Sequence, residues 1–239
     1  MSFIITLYVR EGIVMASDSR LTLSSRQQQG EREIIQMGIG LSDSTYKTFL
    51  TLNNIGISVF GAPEVRGVPI TGYIESFISD EVYRHNHAVD EVPQALVDYF
   101  RHIEPEADTG FLVAGYKPGE QGAEQHVWEA LVKLGRVTRI NQPNQWGAAW
   151  RGVTDIVARL IMPVSVRDNE GNPQQLAHFP IQWGFFTLQD AIDYAQYAVK
   201  VTADTMRFHP RPKTVGGPID VLVIKPEAAF WVKYKELQA

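Results

Sequence analysis

The sequence predicts an α+β fold in which two antiparallel sheets face each other with helix pairs outside. Two observations carry this reading. Strand-like blocks alternate with pairs of helical segments, whereas a doubly wound parallel sheet alternates strands with single helices. The chain has 239 residues, 44% of them hydrophobic, which suits one large core, and no repeat of solenoid length divides it. Residues 1–239 therefore read as a single domain.

The elements follow in order. Residues 3–10 and 13–17 are β-branched and apolar and turn at Glu11-Gly12, which predicts a hairpin. Residues 22–40 are polar, contain Gln27-Gln28-Gln29-Gly30 and alternating charges, and read as a long excursion from the sheet. A second strand pair, 47–52 and 55–60, turns at Asn53-Asn54 and stops at Gly61-Ala62-Pro63. Helices are predicted over 68–84 and 92–103; the second carries Leu96, Tyr99, Phe100 and Ile103 on one face and closes at Glu104-Pro105-Glu106. Strands 111–116, 126–133 and 136–140 follow, the last two joined by a tight turn at Leu134-Gly135. A third helix is predicted over 147–162, and 163–184 reads as a turn-rich loop. The next helix has the clearest stripe, Leu188, Ala191, Ile192, Ala195, Ala198 and Val199, entered through Thr187-Leu188-Gln189-Asp190, a loose form of the capping box. Strands 219–224 and 230–234 come last.

Composition narrows the function. The 22 Lys+Arg against 27 Asp+Glu leave a net charge of −5 with no basic block, so no nucleic-acid partner is expected. With no cysteine, disulfides, thiolate metal sites and a cysteine nucleophile are all excluded, so a covalent catalyst here uses oxygen. No charge-free apolar run reaches the roughly 18 residues of a membrane span, and the first ten residues lack the pattern of a signal peptide. A soluble, cytoplasmic protein with no membrane partner is the expectation. G-x-S-x-G, P-loop, G-x-G-x-x-G and H-E-x-x-H motifs are missing, and the six histidines are scattered. The spacing of His85 and His87 does not put both rings on one helical face, so neither a metal site nor a cofactor is expected.

Chemistry is concentrated at the start of the chain. Removal of Met1 leaves Ser2 with a hydroxyl and a free α-amine side by side. The unperturbed α-amine pKa of about 7.7 to 8.0 lets it take the hydroxyl proton, so one residue can supply nucleophile and general base.

Ser2-Phe3-Ile4-Ile5-Thr6-Leu7, followed by the run from Gly12 through Ser17-Asp18-Ser19-Arg20-Leu21-Thr22, resembles the opening of a proteasome β-type subunit. Asp18 and Arg20 lie 16 and 18 residues after Ser2, as the family's Asp and Arg follow its catalytic N-terminal Thr. Lys47-Thr48-Phe49 is similar to the strand bearing the family's catalytic Lys, and Gly61, fourteen residues later, to its oxyanion Gly. Gly216-Gly217, leading into an apolar strand, resembles the family's late Gly-Gly turn. A chain that starts directly in a strand, without a preceding helix, matches the β type rather than the α type.

The resemblance implies the four-layer αββα sandwich of the N-terminal-nucleophile (Ntn) hydrolases and a threonine-type endopeptidase activity. Ser2 would attack the peptide carbonyl, Lys47 would lower the proton affinity of amine and hydroxyl, Asp18 would hold Lys47, Gly61 would donate its N–H to the oxyanion, and Arg20 would brace the site. Leu21, Thr45, Val59 and Pro63 would line the pocket for the side chain before the scissile bond, favouring apolar ones. The substrate implied is a peptide or unfolded protein, and the assembly a homo-oligomeric ring; an ATPase partner is not specified. Departures are Ser for Thr at the nucleophile, Ala148 at a supporting Ser position, Pro212 and Val215 where Asp and Ser are usual, and 26 residues between Arg20 and Lys47, about twice the family's spacing. These keep two alternatives open, a catalytically weak or inactive ring subunit and a small-molecule amidohydrolase of the same nucleophile type.

Overall fold

Alternate residues of the first strand go to different cores. In a computed structural model, which describes residues 2–29, 32–119 and 122–236, with side chains outside 24–39, β1 (Phe3–Val9) and β2 (Gly12–Ser17) are buried throughout. Phe3, Ile5, Leu7 and Val9 join one hydrophobic cluster, and Ile4 and Tyr8 another. A strand buried on both faces needs a continuous apolar run, which is what this sequence has.

The strands that follow are β3 (Leu21–Gln29), β4 (Arg32–Ser42), β5 (Thr48–Leu50) and β6 (Gly56–Gly61), then the two-residue pair β7 (Glu64–Val65) and β8 (Val68–Pro69). Later come β9 (Thr109–Gly119), β10 (Gly122–Leu131), β11 (Arg136–Arg139), β12 (Gly147–Gly152), β13 (Ser165–Arg167), β14 (Pro173–Gln175), β15 (Asp220–Ile224) and β16 (Ala229–Lys233). One five-stranded antiparallel sheet has the order β12-β1-β2-β15-β16, and a second has β11-β10-β9-β6-β5. Neither closes into a barrel among the described residues. The chain is thus a mixed α/β protein with several antiparallel sheets.

Helix α1 (Ile70–Phe77) continues through one π-helical turn, Ile78–Val82, and stops where Asn86 turns left-handed at φ 49°. Helix α2 (Val92–Ile103) has Leu96, Val97 and Phe100 buried, matching the predicted face, with Tyr99 and Ile103 packed at its margin. These two helices share a cluster with Ile57, Val59, Phe111 and Val113 of the second sheet. Helix α3 (Asp155–Ile161) and helix α4 (Leu188–Phe208) share one with the odd-numbered residues of β1 and with Val221 and Val223 of β15. A third cluster draws on both sheets and on no helix: Met15, Leu222 and Ile224 from the first, Leu112, Ala114 and Val127 from the second. Thr187 caps α4 with a complete box. Its Oγ1 accepts from the Asp190 N–H at 3.1 Å, and the Asp190 carboxylate accepts from the Thr187 N–H at 2.9 Å.

Two expectations are corrected, and a third gains detail. The helix expected over 147–162 is an edge strand, β12, followed by only the short α3. Gly147-Ala148-Ala149-Trp150 has no helical stripe, and β1 offers it a ladder from Tyr8 to Phe3. The excursion expected at 22–40 does leave both sheets, as a separate pair of strands, β3 and β4; residues 30 and 31 lie outside the described residues. Within 163–184 the chain forms a small hairpin, β13 with β14, rather than only loop.

Candidate active site

Asp18 follows β2 directly, and the end of that strand carries it below the surface. It has 0% exposure and spends both oxygens on four donors: Oδ1 accepts from the Phe3 N–H at 2.9 Å and the Lys47 ammonium at 2.7 Å, Oδ2 from the Arg20 and Gly216 N–H groups at 3.1 Å each. Lys47 immediately precedes β5, with 5% exposure, and its carbonyl accepts from the Val59 N–H at 2.8 Å. Burial pushes the Lys47 amine below the ordinary lysine pKa, opposed mainly by the neighbouring Asp18 carboxylate.

Ser2 immediately precedes β1 and is 5% exposed. Its carbonyl accepts from the Val153 N–H at 2.8 Å, and Gly152, at φ 90°, makes this approach possible. A Cβ at Gly152 would lie 1.8 Å from the Ser2 carbonyl oxygen. Met1, whose removal the proposed chemistry requires, lies outside the described residues.

Arg20 is held from the other side. Its guanidinium forks onto Asp43, Nε to Oδ1 at 2.6 Å and Nη2 to Oδ2 at 2.7 Å, and Nη1 reaches the Lys213 carbonyl at 3.3 Å. Hydrogen bonding to Asp43 raises the Arg20 pKa, and the same contact lowers that of Asp43. The Ser19 N–H donates to the Gly216 carbonyl at 3.0 Å and its Oγ to the Pro218 carbonyl at 2.7 Å, so the Gly-Gly turn is stitched to the end of β2.

These elements enclose one cleft. Ser2, Arg20, Lys47 and Gly61 line it, together with all four residues expected to form the side-chain pocket, Leu21, Thr45, Val59 and Pro63. Asp18 sits behind the cleft and touches it through Lys47. Gly61 has φ 98°, and a Cβ there would meet the Asp108 carbonyl oxygen at 2.2 Å, so only glycine fits. Every residue proposed for the site is therefore gathered at one place.

The supporting positions differ from expectation. The 145–149 segment does not reach Ser2; Ala148 pairs with Leu7 in mid-strand, and Gly152 and Val153 adjoin Ser2 instead. Val215 is buried in a hydrophobic cluster, where the resemblance implies a hydroxyl. Asp43, Tyr46 and Gly152 were not singled out from the sequence. Asp43 carries a legible signal in hindsight, a lone carboxylate in a Ser/Thr-rich stretch just before Lys47; the other two are recruited by tertiary contacts.

Among the described residues no cluster of His, Asp and Glu has the form of a metal site, and no helix is long and apolar enough to cross a membrane. Compared with known proteins, the chain matches no family model and no curated sequence. The functional reading rests on the geometry and on the resemblance in the sequence.

Proposed function

We propose that the chain is a proteasome-like β-type peptidase with the four-layer αββα sandwich of the Ntn hydrolases, using Ser2 as its nucleophile once Met1 is removed. The observation that carries this reading is the buried Lys47–Asp18 pair, 2.7 Å apart, beside Ser2 at the head of an apolar cleft. A lysine buried at a cleft with a bonded carboxylate is a costly arrangement for a purely structural role.

The steps follow from the chemistry of the groups. The Ser2 α-amine takes the hydroxyl proton as Oγ bonds to the scissile carbonyl carbon. Lys47, a cation alongside, lowers the proton affinity of both groups. The oxyanion is stabilised by the Gly61 N–H, a contact of the kind worth about 2.7–4 kcal/mol in a transition state. The ammonium then returns its proton to the leaving amine, giving an ester at Ser2. Water, deprotonated by the amine, attacks that ester, releases the acid and restores the hydroxyl. The apolar wall of Leu21, Val59 and Pro63 favours apolar side chains before the scissile bond. We assign the working form to a homo-oligomeric ring in the cytoplasm.

The test combines intact mass, native mass spectrometry and hydrolysis of fluorogenic peptides on one sample. The expected result is loss of the Met1 residue, a ring-sized assembly, and activity abolished by Ser2→Ala and by Lys47→Ala. Unchanged turnover in either variant overturns the assignment. Val215 supports one second reading, a ring subunit of the same fold with little activity, since an apolar residue stands where a hydroxyl would hold the amine. That reading expects a ring assembled and no turnover, and does not require the loss of Met1.

A further inference from the structure

The proposed site uses one buried lysine, and the fold holds a second behind it. Asp220 opens β15 opposite Ser17, the residue before Asp18. Its carboxylate is fully buried and accepts from the Lys235 N–H at 2.9 Å and from the Lys235 ammonium. That ammonium also lies 4.3 Å from the centroid of the Tyr46 ring, within the range of a cation–π contact. Tyr46 stacks on Tyr234 at 5.1 Å and 14°, and Tyr234 packs against Trp231 at 4.4 Å. Tyr46 directly precedes Lys47 and lines the same cleft. The end of the chain thus reaches the back of the site through one aromatic ring.

A buried ion pair contributes little net stability compared with apolar residues of equal volume. Fold stability gives no reason for a second one here; its position does. We propose that Lys235 is a positioning residue of the site: held by Asp220, its ammonium fixes Tyr46 as the wall beside Lys47 and sets a second cation against the Lys47 ammonium. The catalytic consequence rests on the peptidase reading, whereas the coupling between the two lysines rests on the Lys235–Tyr46 contact beside Lys47 and on the charge of Lys235.

The charges facing Lys47 come from three segments: Asp18, which favours its protonated form, and Arg20, which disfavours it, from the first; Asp43, the partner of Arg20, from the second; and Lys235, which also disfavours it, from the third. Lys235 faces Asp220 and, at longer range, Asp18. Burial is the largest influence on both lysines and lowers both pKa values. Removing the Lys235 charge therefore makes Lys47 hold its proton more tightly.

The experiment follows the titration of Lys47 by NMR with lysine-selective isotope labelling, the signal being assigned with Lys47→Arg, alongside pH profiles of kcat and kcat/KM. Lys235→Met is expected to raise the Lys47 midpoint, to move the alkaline limb of kcat/KM upward, and to lower kcat by about tenfold as the wall relaxes. Lys235→Arg, which keeps a cation over Tyr46, is expected to restore the midpoint and most of kcat. An unchanged midpoint in Lys235→Met overturns the proposal. Should that variant not fold, Asp220→Asn/Lys235→Met, which leaves no unpaired buried charge, is read in the same way: a raised midpoint supports the coupling and an unchanged one overturns it. A raised midpoint in a protein that hydrolyses no peptide sinks the peptidase reading and leaves the coupling standing; hydrolysis with an unchanged midpoint does the reverse.

Discussion

Asp18 is the residue on which the site converges, because its two oxygens accept from Phe3, Arg20, Lys47 and Gly216. Asp18→Asn replaces an acceptor with a donor at one oxygen and leaves Lys47 without its counter-charge. Breaking a buried pair from one side costs about 3–5 kcal/mol, so urea unfolding of this variant is expected to show a loss of that order, partly recovered by adding Lys47→Met. A wild-type midpoint for Asp18→Asn contradicts the buried geometry. Gly152→Ala is expected to abolish turnover while leaving most of the fold, since its Cβ would intrude on the Ser2 carbonyl; crystallography of the variant shows whether Ser2 has moved. Ser2, Asp18, Arg20 and Lys47 were singled out because their spacing matches that of the family the opening of the chain resembles. Gly152 was not, because nothing near it in the chain says that it will lie against Ser2, 150 positions away.

Elements differ in how openly they declare themselves. Helix α2 reads from its own residues, since Leu96 and Phe100 recur at helical spacing and the face they mark is the buried one. Helix α4 likewise announces its start at Thr187, and Thr187→Ala is expected to cost about 1 kcal/mol in urea unfolding. A loss near zero would mean that the box contributes nothing in water. By contrast, β12 is made by its partner: Ala148 and Ala149 favour helix and Gly147 is a poor strand former, and pairing with β1 overrides both preferences to make a strand. The β3–β4 hairpin is hidden for a related reason, since Gln27-Gln28-Gln29 has no alternation by which a strand is recognised. Ser2, Asp18 and Lys47, singled out from the sequence, flank strands, and Gly152 of β12, which adjoins Ser2, was not singled out.

At the scale of the molecule, titrating tyrosines govern the alkaline limit. Burial pushes Tyr194 up to about 12 and Tyr234, aided by Tyr46, also to about 12. A folded-state pKa above the unfolded value of 10.0 means stability that is complete below pH 10 and lost as pH rises through about 12. Lys47 and Lys235 act with the opposite sign: each binds its proton less tightly when folded, so its burden on the fold lessens as pH climbs toward the lysine value of 10.5. Urea midpoints are thus expected to hold or rise slightly to pH 10 and then to fall, in step with tyrosinate absorbance. In Tyr194→Phe the alkaline fall is expected to be shallower, and an identical fall would remove Tyr194 from the account.

The four donors on Asp18 come from residues 3, 20, 47 and 216, so the carboxylate joins the first strand to a turn far along the chain. A chain growing on the ribosome carries Ser2 and Asp18 well before it has Gly216. The first strand must also wait for β12 on one side, and its neighbour β2 for β15. Contacts this distant in sequence form late. The arrangement works as a timer: the surroundings of Ser2 and Asp18 stay unassembled until the distant strands and the Gly216 turn exist to enclose them.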